Sequence, residues 1–112
     1  MQEWTLNYHA DEASAHCIEK WFDQLTQEQL TAVSKELKLL ELSGNELKLP
    51  HSRSLGKGLF ELRERHHGYR IYYGFHQDRI IGLLVAGDKS TQKNDIIVAR
   101  EKLAAFAQTE EI

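Results

Sequence analysis

One cysteine and one proline are all that the 112 residues contain of either. Cys17 has no partner within the chain, so a disulfide framework is excluded and a reducing compartment suits the protein better than secretion. No apolar run approaches the roughly 18 to 20 residues that span a bilayer, and no basic-then-apolar leader is evident. The expectation is a cytoplasmic protein without a membrane partner. Internal repeats, low-complexity tracts and any second domain are also lacking. Residues 1–112 therefore read as one domain, large enough to bury a core without staples.

Strong net charge is missing too. The formal total is -3, which by itself argues against a nucleic-acid partner, but the distribution is uneven. Residues 1–47 carry three cations and nine carboxylates, residues 48–93 carry nine cations and four carboxylates, and the rest has a balance of -2. A split of -6 against +5 within one small domain fits a basic surface able to meet phosphates on an otherwise acidic body. A solvated strand face would have the same composition.

Trp4 to His9 alternates weakly and reads as a first strand. Asp11 is placed to cap a helix whose apolar residues Ile18, Trp21, Phe22 and Leu25 recur at helical spacing, with Cys17 at the edge of the stripe. Thr26-Gln27-Glu28-Gln29 has the capping-box pattern, with Leu25 and Leu30 at the staple positions, so a second helix starts there. Leu30, Val33, Leu37 and Leu40 make its apolar seam, which stops before Gly44. Both helices read as scaffold, their acidic outer faces solvated. Leu49-Pro50-His51-Ser52 opens an exposed cationic loop, and Gly56 and Gly58 bracket Lys57 in a turn.

Three strands follow. Leu59 to Arg65 alternates, with Phe60 and Leu62 on one face and Glu61, Arg63 and Arg65 on the other. His66-His67-Gly68 makes a turn, Tyr69 to Phe75 is the second strand, and Ile80 to Ala86 is apolar almost throughout, as for a strand covered on both faces. A last helix is expected after Ser90 or Thr91 as cap, with Ile96, Ile97, Leu103 and Phe106 on its apolar side. Lys89 and Lys93 flank its start. Cations there oppose the helix dipole and reinforce an anion site instead.

Other chemistries lack their residues. His66-His67 is not a chelating spacing on a strand and no Cys or carboxylate cluster completes a metal site, so neither a metal nor a cofactor is expected. Cys17 falls in a helical core pattern, no serine sits in a Gly-rich elbow, and Gly56-Lys57-Gly58 precedes a strand where a phosphate loop would precede a helix.

The stretches LFELR (Leu59 to Arg63), GYRIYY (Gly68 to Tyr73) and GDKSTQKNDI followed by ARE (Gly87 to Ile96, then Ala99 to Glu101) resemble the RelE/ParE superfamily of type II toxins, especially its HigB-type addiction-module killer proteins. LPHSRSLGKG, Leu49 to Gly58, resembles the lead-in loop of related phage-derived toxins. The resemblance covers the C-terminal two thirds. It implies an α+β RelE-like fold: a strand, a helical hairpin, a three-stranded antiparallel meander and a C-terminal helix. It also implies a ribosome-dependent mRNA endoribonuclease, in which a ribose 2'-OH attacks the adjacent phosphate while clustered cations stabilise the transition state.

By resemblance, Arg63, Arg70 and Lys89 stand at the catalytic positions. Arg70 and Lys89 would stabilise the phosphate and assist the leaving group, with Arg63 as electrostatic support. Lys57, Arg65 and Lys93 are the candidates for RNA binding. The chain departs from the archetypal ribonuclease in two places, with Glu61 for a strand lysine and Asp95 for a stacking tyrosine. The general base stays open among His66, His67 and Glu61. Implied partners are the ribosome with its mRNA and a cognate antitoxin, with DNA reached only through that antitoxin. Two alternatives share the scaffold: a non-catalytic ParE-like inhibitor of DNA gyrase, and an inactive prophage-borne relative.

Overall fold

The computed structural model describes residues 3–8, 12–77 and 79–109, and side chains within them except those of 12–17 and 106–109. In chain order the elements are β1 (Thr5–Asn7), α1 (Glu12–Asp23), α2 (Gln27–Ser43), β2 (Ser52–Gly56), β3 (Leu59–Glu64), β4 (Tyr69–His76), β5 (Ile80–Asp88) and α3 (Gln92–Thr109). Single 3-10 turns follow α2 and β5. The five strands form one sheet in the order β1-β5-β4-β3-β2, antiparallel except where β1 runs parallel to β5.

The helical hairpin forms where its local signals lie. The Thr26 hydroxyl accepts from Gln29 N at 3.2 Å while Gln29 Oε1 accepts from Thr26 N at 2.9 Å, so two otherwise unpaired donors are satisfied before α2 begins. Gly44 ends it with a positive φ of 51°, and the Trp4 ring lies so close that a side chain at Gly44 would overlap it. Val33, Leu37 and Leu40 of α2, with Ile18 of α1, are buried against Leu62, Ile71, Tyr73, Ile81 and Leu83 of the sheet. The Tyr73 hydroxyl in this core is satisfied, since it shares a hydrogen bond with that of Ser52. Burial nevertheless pushes the Tyr73 hydroxyl up to about 12.

The opposite face of the sheet is covered by α3. Leu59, Tyr72, Leu84, Val85 and Ala99 form a second, smaller cluster, joined by Leu55, Ile96, Val98 and Leu103. A bulge sets this up: Tyr72 pairs with Val85 and Tyr73 with Leu83, so the extra residue Leu84 joins Val85 on the α3 side. This is why β5 reads as an unbroken apolar run. At Gly74 the helix comes so close that an added Cβ would overlap Leu103.

Several expectations need correction. The meander has four strands, because Ser52–Gly56 pairs with β3 as an edge strand where a loop was expected. Ser-Arg-Ser-Leu-Gly has little β propensity and no alternation, and Arg53 and Ser54 lie exposed, so its pairing with β3 and not its composition makes it a strand. The cap before the last helix is Asp88, which accepts from Ser90 N at 2.8 Å and starts the 3-10 turn that leads into α3. Ile97 is 60% exposed and is not on the buried side of α3. The Gly56-Lys57-Gly58 turn is present, with all three residues at positive φ. Asp11 and the side chains of Cys17 and Phe106 lie outside the described residues.

Candidate functional site

Alternation places Leu59, Glu61 and Arg63 of β3 on the face toward α3, and Arg70 and Tyr72 of β4 beside them. Arg63 is the direct cross-strand partner of Arg70, which is in turn paired with Gly87 of β5. Side chains so paired start about 5 Å apart at Cβ, and two cations rising from neighbouring strands on one face need a counter-charge. Glu61 supplies it. Its Oε2 is 3.5 Å from Arg70 Nε and its Oε1 4.0 Å from Arg63 Nε. Gln92, the first residue of α3, donates to Glu61 Oε2 at 2.7 Å and closes the cluster from above. Glu61 is wholly buried, while the side chains of Arg70 and Arg63 are 12% and 31% exposed. The arginines therefore form the rim, and the carboxylate is the floor.

The floor is under-satisfied. Glu61 Oε1, Arg70 Nε and the Tyr72 hydroxyl are buried without a well-formed hydrogen bond among the described residues. Arg70 keeps one good bond, from Nη1 to the Gly68 carbonyl at 3.0 Å. Burial, and then the negative charge of Glu61, raises the Tyr72 hydroxyl far above its ordinary range, so it stays a proton donor. Glu61, Arg70 and Tyr72 thus form one buried polar cluster whose members face one another.

The α3 end of the site is built around Gly87. Any side chain there would overlap Asp95 and Thr91, whose hydroxyl donates to Asp95 Oδ2 at 2.6 Å. Burial raises the Asp95 carboxyl, and nearby Asp88 adds to the effect against the pull of Thr91. Asp88 is lowered, chiefly by the Ser90 hydroxyl, which donates to it at 2.5 Å.

The six cationic candidates separate into groups. Arg63 and Arg70 meet across the strands. Lys89 follows Asp88 directly after β5, and Lys93 lies in the first turn of α3, so both stand exposed at the same end of the sheet. Lys57 occupies the β2–β3 turn at the other end of β3, about 20 Å away at the usual rise along a strand. Arg65 does not share a face with Arg63. The strand stops at Glu64, and Arg65 enters the turn that lines a cleft with Glu28, Thr31 and Lys35 of α2, on the opposite side of the sheet. The two histidines lie in that same cleft. Of the three groups left open as a base, only Glu61 is beside the arginines, and it is covered. Glu61 itself was assigned to a polar strand face. Its burial depends on α3, whose contact residue lies 31 positions downstream.

These features define an α+β domain with a carboxylate held beneath a cationic rim, in a chain where, among the described residues, no helix is long and apolar enough to cross a membrane. The family model described as Phage derived protein Gp49-like (DUF891) matches residues 20–104, and the chain belongs to that family. It is a toxin-like family related to the RelE/ParE type of addiction module. No curated protein gives a significant sequence match.

Proposed function

We propose that the protein is the HigB-like toxin of a type II toxin–antitoxin pair and cuts translated mRNA on the ribosome. The observation that carries this reading is the Arg63–Arg70 pair on adjacent strands, with Lys89 at the same end of the sheet. Attack of a ribose 2'-OH on the adjacent phosphate forms a cyclic phosphate, breaks the bond to the 5' oxygen and releases the hydroxyl proton to water, and cations fixed on strands meet the negative charge that builds on the phosphoryl oxygens without reorganising. Arg70 and Lys89 stabilise the phosphate and the leaving oxygen. Arg63 supports them, and Lys93 holds flanking phosphate. The partner is an acidic antitoxin segment complementary to this rim.

A second reading is favoured by one observation. Glu61 offsets one of the two arginine charges and is itself sealed under Gln92. A non-catalytic, ParE-like toxin acting on DNA gyrase needs no exposed base, and neither does an inactive relative.

The test is inducible expression in bacteria of wild type and of the Arg70→Ala, Lys89→Ala double variant, with mapping of mRNA 5' ends. Loss of phosphate-stabilising groups is expected to lower cleavage at least about 100-fold, so in-frame cuts and growth arrest seen with wild type disappear in the variant. Arrest without such cuts, or arrest that survives both substitutions, overturns the nuclease reading. Supercoiling assays then decide between gyrase inhibition and inactivity.

A further inference from the structure

The cleft on the other side of the sheet carries a chemistry that the arginine site does not use. It encloses about 400 Å³ between α2 and the β3–β4 turn. One ligand atom each from Glu28, His66 and His67 lies there, all within 4.8 Å of one another. We propose that Glu28, His66 and His67 form a binding site for a divalent transition-metal ion such as zinc.

Each ligand is held by its local structure. Glu28 lies in the first turn of α2, which the capping box fixes. The histidines are adjacent in sequence and would diverge on a strand, but here they occupy a tight turn completed by Gly68 at a φ of 79°. Their rings stand perpendicular with centroids 4.5 Å apart. The turn is pinned by Glu64, whose carboxylate accepts from His66 N at 2.8 Å and His67 N at 2.9 Å. His67 also stacks on Tyr69, with centroids 5.6 Å apart and planes 14° from parallel, which sets the ring plane.

A carboxylate stands behind His67: Glu64 Oε1 lies 3.3 Å from the buried His67 Nδ1, out of line for a hydrogen bond that a small rotation of the ring would complete. A metal-bound imidazole characteristically gives its other N–H to a carboxylate, which fixes the tautomer and raises the basicity of the ligating nitrogen. That partner leaves Nε2 of His67 for the ion. A tetrahedral zinc with bonds of about 2.0–2.1 Å sets its ligand atoms roughly 3.3 Å apart. Glu28 and His66 are both exposed, so their side chains have room to re-orient toward that spacing. Two imidazoles and one carboxylate select a transition metal over magnesium or calcium, which prefer all-oxygen sites. Lys35 and Arg65 also line the cleft, but Glu28, Glu36 and Glu64 outnumber them. The ion ties the start of α2 to the β3–β4 turn and leaves a fourth position to solvent.

The experiment is calorimetric titration of the tag-free, metal-free chain with zinc chloride, paired with thermal unfolding with and without zinc. Wild type is expected to bind one zinc in this cleft and to unfold at a higher temperature when it is bound. Glu28→Gln and His66→Ala change exposed groups and leave the fold intact by circular dichroism, yet each lowers the affinity at least about tenfold and abolishes the thermal shift. Absence of binding at zinc concentrations near 100 μM, or binding unchanged in both variants, overturns the proposal. The second outcome assigns the zinc to other side chains of the chain.

Discussion

The two faces of the sheet are built on opposite plans. Toward the helical hairpin, α2 and α1 lay Val33, Leu37, Leu40 and Ile18 on an apolar strand surface, and the aromatic rings of Phe60, Tyr73 and Phe75 pack together at its margin. Toward α3 the buried apolar set is smaller, and it shares its space with a fully buried glutamate and a tyrosine hydroxyl. Non-directional burial holds the first face. The second adds directional contacts, each of which fails if its partner moves. One side of this domain is a foundation, and the other sets the geometry of the rim.

The largest effect that would test this division is on the first face. Leu83→Ala empties a fully buried position and is expected to cost about 2–5 kcal/mol in chemical denaturation, while the arginine rim is left chemically unchanged. A cost much smaller than this would show that the hairpin face is not the foundation.

Glu61→Gln keeps the shape and removes the charge between Arg63 and Arg70. An uncompensated buried charge costs up to 3–5 kcal/mol, and the partial exposure of both arginines reduces this to about 2–3 kcal/mol. The double variant Glu61→Gln with Arg70→Met is expected to recover part of the loss. If it recovers nothing, Glu61 acts through contacts other than its charge pairing.

Asp95 gives the smallest and most specific readout. Its carboxyl is raised above an ordinary value of 3.8, so the folded state holds the proton more tightly than the unfolded state does. That contribution to stability is fully present below the unfolded pKa and is lost as pH rises through the folded one. Asp95→Asn keeps an acceptor for Thr91 and removes the titration. Its stability relative to wild type is expected to improve by less than about 1 kcal/mol between pH 3 and pH 7, with solvent screening limiting the gain. A gap independent of pH would mean that the Asp95 environment is as wet as the surface.

The same contrast governs what was legible in the sequence. The hairpin face is written in local signals: the Thr26 box, the Val33-Leu37-Leu40 seam and the stop at Gly44 each need only a few neighbouring residues. So does the alternation that put Glu61 and Arg63 on one face of β3, whereas Arg63 and Arg70 were brought together only by the family resemblance. The α3 face depends on distant residues. Parity alone grouped Glu61 with exposed charges, because nothing within β3 announces that Gln92 will cover it. Parity also carried Arg65 one residue past the end of its strand and onto the other side of the sheet. β2 was missed because an edge strand with exposed serine and arginine has no apolar period to read. His66 and His67 were read as a turn but set aside as metal ligands on the spacing of a strand, and the approach of Glu28 from α2, distant in sequence, is what brings the three together.

The pairing of β1 with β5 carries a consequence for the order of events in the cell. Thr5 is matched to Ile80 and Asn7 to Gly82, so β1 stays unpaired until β5 is in place. Four of the five strands lie on the N-terminal side of β5, and α3, which covers Glu61, follows it. Contacts so distant along the chain close slowly and late. While its own message is being translated, the nascent chain cannot complete either the sheet or the rim until β5 and α3 have both left the ribosome.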